Sequence, residues 1–378
     1  MKALKRTIED SVWDALMPNK VVVLLGPRRV GKTTLLQQII SRLEEPYLLL
    51  SGEDQVNLDV LKRRSIQNYK NFLGDTRLLL IDEAQKIDDI GSILKLMVDH
   101  IEGLRVLVTG SSAFDISNRT GEPLTGRKKT FNLYSLSEAE LSSREDALQR
   151  VDNLRRRLVF GNYPELLQME GDEEKAEYLQ EVVNSYLLKD ILTFDDIRNS
   201  DKILDLLRLI AFQVGSEVST TELGKKLQMS KNTVEKYLDL LSKIFVIYKV
   251  RGFSRNLRKE VTKSARWYFY DNGIRNVLAG NLNSIDLRAD VGLLWENYIL
   301  AERLKHQSYT RMLVYNYFWR TYDQQEIDWV EDRGGQLHGY ELKWNPNKNP
   351  NAPIAWRKAY PEAQFQVINR ENYNAWIS

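Results

Sequence analysis

The stretch Val21-Val-Val-Leu-Leu-Gly26-Pro27-Arg28-Arg29-Val30-Gly31-Lys32-Thr33-Thr34 decides the fold class of the N-terminal part of the chain. Val21 to Leu25 is an unbroken apolar run, the pattern of a strand buried on both faces in a parallel sheet. Gly26 to Thr33 fits G-x-x-x-x-G-K-[ST] at every fixed position, and the helix-forming Thr34-Leu-Leu-Gln-Gln-Ile-Ile follows. In that order the two glycines let the backbone curl, so that successive N–H groups point at phosphate oxygens at a helix N-terminus. Lys32 can reach the β- and γ-phosphates, and the Thr33 hydroxyl can bind Mg²⁺. ATP with Mg²⁺ is therefore the expected ligand of Gly26–Thr34.

Outward from the loop, Arg77-Leu-Leu-Leu-Ile-Asp82-Glu83-Ala84 is an apolar strand that ends in two carboxylates. Asp82 is expected to hold Mg²⁺, largely through water, and Glu83 to polarise the attacking water. A further strand, Arg105-Val-Leu-Val-Thr-Gly110, ends in Ser111-Ser112. In ASCE-type ATPases an extra strand lies between the two Walker strands and carries a polar γ-phosphate sensor. Thr109 or Ser111 can fill that role, and turn-forming serines are the alternative. The basic loop Leu124-Thr-Gly-Arg127-Lys-Lys-Thr130 offers Arg127 as a contact to the γ-phosphate of its own or a neighbouring subunit's nucleotide, or simply as a solvated cation.

The runs GPRRVGKTTLL, LLLIDEAQ, VLVTGSSA and LTGRKKTFNLYSLSEAE resemble a bacterial and archaeal family of AAA-like ATPases. Gly161-Asn-Tyr-Pro-Glu165 and Tyr186-Leu-Leu-Lys-Asp-Ile191 resemble its helical lid-side signatures. The resemblance implies an ATPase core followed by a C-terminal domain of unknown function, and it names no client.

In the middle of the chain, Val218–Leu227 reads as a short amphipathic helix and Gln228–Ser230 as a turn. Ser230 caps a second helix whose Val234, Leu238 and Leu241 recur at helical spacing. Two β-rich stretches, Phe245–Val250 and Ala265–Tyr270, complete the pattern of a winged helix. Between them, Arg251, Arg255, Arg258, Lys259, Lys263 and Arg266 face a single acid, Glu260, a composition that can track a phosphate backbone. The second helix mixes Lys231 and Lys236 with Glu235 and Asp239, which leaves DNA binding and a protein-contact role both open.

Toward the C-terminus, Gly292–Leu304 is an amphipathic helix that carries Glu296, and Gln325-Glu-Ile-Asp328-Trp-Val330 is a strand. Gly339-Tyr-Glu341-Leu-Lys343-Trp344 is another strand, where period-two spacing aims Glu341 and Lys343 at one face. The ordered set resembles the PD-(D/E)XK nuclease fold, although Ile327 stands where the motif has proline. The resemblance implies that Asp328 and Glu341, assisted by Glu296, bind Mg²⁺ or Mn²⁺, and that Lys343 orients water or offsets charge.

The expected fold class is thus α/β, a parallel-sheet P-loop NTPase of ASCE or AAA-like type, followed by helical, winged-helix and α+β restriction-endonuclease-like parts. The expected segments are 1–150 for the ATPase core, 151–205 for a helical lid, 206–280 for the winged helix and 281–378 for the nuclease-like domain. With 378 residues, 43% apolar and 28% charged, the composition is that of a globular chain. It has no cysteine, which excludes disulfides, thiolate zinc sites and cysteine nucleophiles, and three histidines argue against a His-rich metal site. The apolar runs are strand-sized, and the N-terminus turns acidic before any signal-peptide core, so a cytoplasmic protein away from membranes is expected. A net charge of +2 limits nucleic-acid attraction to local patches. The expected partners are ATP, DNA and further copies of the chain. The functional expectation is an ATP-hydrolysing, DNA-directed protein, and the alternative is a signalling-type nucleotide switch whose C-terminal parts bind proteins.

Overall fold

A computed structural model describes residues 4–111, 124–187, 200–254 and 265–378. These form two compact units, 1–135 and 136–378. In the first unit the strands β1 (Lys20–Leu25), β2 (Leu48–Ser51), β3 (Leu78–Asp82), β4 (Arg105–Gly110) and β5 (Lys128–Asn132) make one sheet in the order β2-β3-β4-β1-β5. Every adjacent pair is parallel. β4 lies between the two strands that carry the phosphate loop and the acidic pair, as the ASCE pattern requires. Residues 21–25 and 78–81 are all buried, which is why these strands read as continuous apolar runs rather than alternating ones.

The helices of this unit are α1 (Glu9–Asp14), α2 (Lys32–Ile40), α3 (Gln55–Lys62), α4 (Ile66–Leu73) and α5 (Ile90–His100). Their starts are set by local chemistry. Asp54 caps α3 by accepting from the Val56 N–H, and Ser65 caps α4 by accepting from the Asn68 N–H. α2 begins instead at Gly31, whose φ of 93° only glycine adopts without strain.

The second unit carries α6 (Glu138–Ser142), α7 (Ala147–Phe160), α8 (Asp172–Glu181), α9 (Ser200–Phe212), α10 (Thr220–Leu227), α11 (Lys231–Lys243), α12 (Asn272–Leu278), α13 (Val291–Tyr309), α14 (Ile354–Ala359) and α15 (Asn374–Ile377). Its strands are β6 (Glu217–Val218), β7 (Ile247–Gly252), β8 (Ala265–Phe269), β9 (Tyr315–Arg320), β10 (Glu326–Arg333), β11 (Gln336–Leu342) and β12 (Gln364–Ile368).

Two expectations about domain boundaries change here. The first unit ends at 135 rather than 150. The physical reason is Glu138, a fully buried carboxylate that must be paired. Its oxygens accept from Arg157, Tyr298 and Tyr373, all within the second unit. The second change is that the expected winged-helix strands and nuclease-like strands are not separate sheets. They form one seven-stranded sheet, β12-β11-β10-β9-β7-β8-β6. The join is a short parallel pairing, Arg251 with Tyr317 and Gly252 with Phe318.

Candidate functional site

In the first unit the phosphate loop follows β1 at the C-terminal edge of the sheet. Gly26 packs so closely that a Cβ there would lie 2.1 Å from the Leu133 carbonyl oxygen, so no other residue fits. The Lys32 ammonium donates to the Gly26 and Pro27 carbonyls, both at 2.9 Å, which holds it across the loop. Arg6 braces the loop from below, donating to the Val30 and Tyr134 carbonyls at 2.8 Å each. Sequence reading missed Arg6 because nothing local marks a partner that is 24 residues away.

The start of α2 then meets the tips of β3 and β4. The Thr33 hydroxyl donates to Asp82 Oδ2 at 2.8 Å, and the Thr109 hydroxyl donates to the other oxygen, Oδ1. Thr109 also accepts from the Glu83 backbone N–H at 3.1 Å and is 0% exposed. Of the two strand-tip candidates, Thr109 is therefore the one that touches the acidic pair, while Ser111 lies buried just past the strand end. Glu83 takes a left-handed backbone conformation, φ 53°, and its Oε2 accepts from Gln85 at 2.5 Å. Gln85 is a second residue that sequence reading left without a role. A hydroxyl and a carboxylate converging at Thr33 and Asp82 form the hard-oxygen donor set that suits Mg²⁺.

Arg127 is not part of this cluster. Its carbonyl accepts from the Val21 N–H, at the opposite end of β1 from Gly26, about 13 Å of strand away. Its guanidinium pairs with Asp99 at 3.0 Å. An in-cis contact to the γ-phosphate is thereby excluded by the register of β5 on β1.

In the second unit, Glu296 on α13, Asp328 on β10, Glu341 on β11 and Lys343 just beyond it share one electrostatic neighbourhood. Lys343 bonds Glu341 at 2.6 Å and stands 3.9 Å from Asp328. Asp328, 6% exposed, accepts from the Leu342 N–H at 2.8 Å. Burial and the nearby Asp328 push the Glu296 carboxyl up to about 8. The same two causes raise Glu341 to about 7, against the pull of Lys343. Burial also raises Asp328, opposed by Lys343 and the Leu342 N–H. Lys343 itself is raised: burial works against its charge, and Asp328 and Glu341 outweigh it.

Three further residues enter from segments expected to belong elsewhere. The Tyr268 hydroxyl on β8 donates to Glu296 Oε1 at 2.7 Å, and Arg266 on the same strand pairs with Glu326 at 2.8 Å. A Cβ on Gly215 would come within 2.9 Å of Glu296 Oε1, so this residue too closes on the carboxylate. No motif flags them, because only the shared sheet brings them in. Among the described residues no three His, Asp or Glu side chains form a group that could hold a metal ion. The set Glu296, Asp328 and Glu341 is thus close in charge but not assembled as a ligand sphere, and Lys343 lies against two of its members.

On α11, Lys231 pairs with Glu235 at 3.6 Å and Lys243 with Asp239 at 2.8 Å, and on α10 Lys226 pairs with Glu222 at 2.8 Å. The basic stretch from Arg255 to Lys263, and Leu188 to Ile191 of the lid-side signature, lie outside the described residues. No described helix is long and apolar enough to cross a membrane.

The geometry defines the first unit as an AAA-like P-loop module, and residues 18–142 match the family described as AAA domain. Residues 151–284 and 291–377 match two families, each described only as a domain of unknown function. An uncharacterized protein of Mycobacterium tuberculosis is 26% identical over 356 residues, covering 93% of this chain and 76% of that protein. An uncharacterized protein of Methanocaldococcus jannaschii is 23% identical over 390 residues, covering 97% and 84%. Among solved structures, replication initiator DnaA bound to AMPPCP and single-stranded DNA is 14% identical with a TM-score of 0.32, covering 63% of this chain and 86% of that one. The Thermotoga maritima RuvB Holliday junction branch migration motor is 18% identical with a TM-score of 0.30, covering 68% and 91%. Scores this low do not speak to what the chain does.

Proposed function

We propose that the chain is a Mg²⁺-dependent ATPase whose nucleotide cycle is read out on DNA by the second unit. The observation that carries the first half is the continuous hydrogen-bonded path Thr33–Asp82–Thr109–Glu83, from the start of α2 across the tips of β3 and β4. Bound at Thr33 and Asp82, Mg²⁺ would neutralise phosphate charge. Lys32 supplies a fixed cation to the same phosphates. Glu83, its backbone N–H held by Thr109 and its carboxylate by Gln85, orients the attacking water and accepts its proton. Arg127 would meet a nucleotide only as part of a neighbouring copy, so ATP-dependent self-association belongs to this reading.

The test of this half is steady-state ATP turnover and nucleotide binding by the full chain, by Lys32→Ala and by Glu83→Gln. Lys32→Ala should weaken binding, and Glu83→Gln should bind ATP and stall. Normal turnover in Glu83→Gln would remove Glu83 from the mechanism.

The DNA half is supported by element order. We read the succession α9–β6–α10–α11–β7–β8 as a winged helix, and α13–β9–β10–β11–α14–β12 as the part that resembles PD-(D/E)XK. We read this part as a binding fold and derive no cleavage step from it. Plasmid nicking with Mg²⁺ or Mn²⁺, absent in both wild type and Asp328→Ala, is the expected result. Nicking that Asp328→Ala and Lys343→Ala abolish would restore the cutting role.

A second reading has its own observation. The paired lysines of α11 leave its face nearly neutral, which suits a nucleotide switch that binds protein partners. DNA binding that weakens steeply with salt would favour the first reading, and no DNA affinity at low salt would favour the second.

A further inference from the structure

Apart from both sites, the second unit has a half-open cavity of about 240 Å³ lined by α6, α7, α8 and the turn that begins at Gly161. Its walls are of two kinds. Phe160, Leu166 and Met169 give it an apolar side, and Arg156, Asn162 and Lys175 give it a polar one.

The polar side is incompletely satisfied. Lys175 is 8% exposed, and among the described residues its ammonium makes no hydrogen bond or ion pair. It sits 5.8 Å from the centre of the Phe160 ring. Asp172 and Glu174 attract it from its own helix without contacting it, and Arg156 repels it. Asn162, 4% exposed, donates its amide hydrogens to Tyr298 at 3.2 Å and Glu302 at 3.1 Å. Its carbonyl oxygen is buried with no partner. The one acid on the wall, Glu145, is taken up by Arg157 and Asn153, although its second oxygen has no partner. A largely buried lysine without an ion partner, set at the edge of an apolar wall, favours an anion beside it.

We propose that this cavity binds a small organic anion. Its carboxylate or phosphate lies on Lys175, and its apolar body rests on Phe160, Leu166 and Met169. The volume is below that of drug-sized pockets and suits a ligand of about one ring. This site does not depend on the ATPase or DNA readings.

The test is calorimetric titration of the full chain, with the phosphate loop first saturated by Mg²⁺ and a non-hydrolysable ATP analogue. The probes are 4-hydroxybenzoate, phenyl phosphate and the neutral 4-hydroxybenzamide. The expected result is one equivalent of at least one anion, with the amide weaker by about tenfold or more, as loss of a charge-assisted contact implies. Whichever anion binds identifies the head group. Lys175→Met should lose about tenfold or more in affinity while its ATP turnover stays at the wild-type rate. Met169→Trp, which fills the apolar side and leaves the cation in place, should abolish binding. The proposal is overturned if neither anion binds, if the amide binds equally well, or if both variants bind as wild type does.

Discussion

The phosphate loop and the Glu296–Asp328–Glu341–Lys343 cluster are both built from carboxylates and a lysine, yet they are put together in opposite ways. At the loop, one contiguous turn carries the cation and most of the backbone donors, one neighbouring strand tip adds both acids and another adds the Thr109 hydroxyl. Its carboxylates are held by hydroxyl and amide donors, Thr33, Thr109 and Gln85. In the second unit the three acids come from three different elements, and they crowd one another in a half-buried space. Proton affinity rises there, to about 8 for Glu296 and about 7 for Glu341. The difference teaches that donors fix a carboxylate for use as an anion, whereas burial beside other acids keeps it protonated.

The largest break in this comparison should come from the loop. Glu83→Gln is expected to lower kcat by about 10²–10⁴-fold with nucleotide affinity retained, measured by single-turnover kinetics and equilibrium binding. A loss of affinity equal to the loss of rate would show that Glu83 serves binding instead. Thr109→Val should cost less. It removes one hydroxyl from Asp82 and strips the Glu83 N–H of its acceptor, so stability should fall by about 1–3 kcal/mol in denaturant titration. A value near zero would mean that the Thr109 bridge is not formed in solution.

The second unit should respond to pH rather than to deletion. A carboxyl whose folded pKa is raised holds its proton more tightly in the folded chain, so its contribution is best at low pH and is lost as pH rises. For Glu296 the window runs from the ordinary value of 4.5 up to about 8. With EDTA present, Glu296→Gln should therefore be more stable than wild type at pH 8.5, relative to pH 5, by about 1 kcal/mol or more. Parallel stability curves for the two proteins would refute the shared acidic neighbourhood. The smallest effect belongs to Arg127. Its exposed pair with Asp99 is worth about 0–1 kcal/mol, and Arg127→Ala should change the turnover of the isolated chain by less than about twofold. A larger loss that grows with protein concentration would place it in a neighbour's site.

Much of the first unit was legible because its chemistry is local in sequence. Gly26–Thr33 is one turn, Asp82–Glu83 ends one strand, and period and burial coincide along β1 and β3. Arg6 was not legible, since its contacts to Val30 and Tyr134 span 24 and 128 residues. In the second unit the individual helices and strands could be read from capping residues and alternation, as at Ser230 before α11. Their division into separate domains could not.

The amino-acid sequence by itself determined the phosphate loop, the acidic strand end beside it and the types of residue at the second cluster. These depend on backbone geometry and periodicity over a few residues, which a chain carries wherever it folds. The tertiary structure alone decided that Thr109 rather than Ser111 bridges the acids, and that Arg127 lies at the far edge of the sheet. It alone joined β7 to β9, bringing Tyr268 and Arg266 among the acids around Glu296, and set Lys175 beside the apolar wall of one cavity. Strand register and long-range burial set those relations, and neither is written in any short stretch of residues.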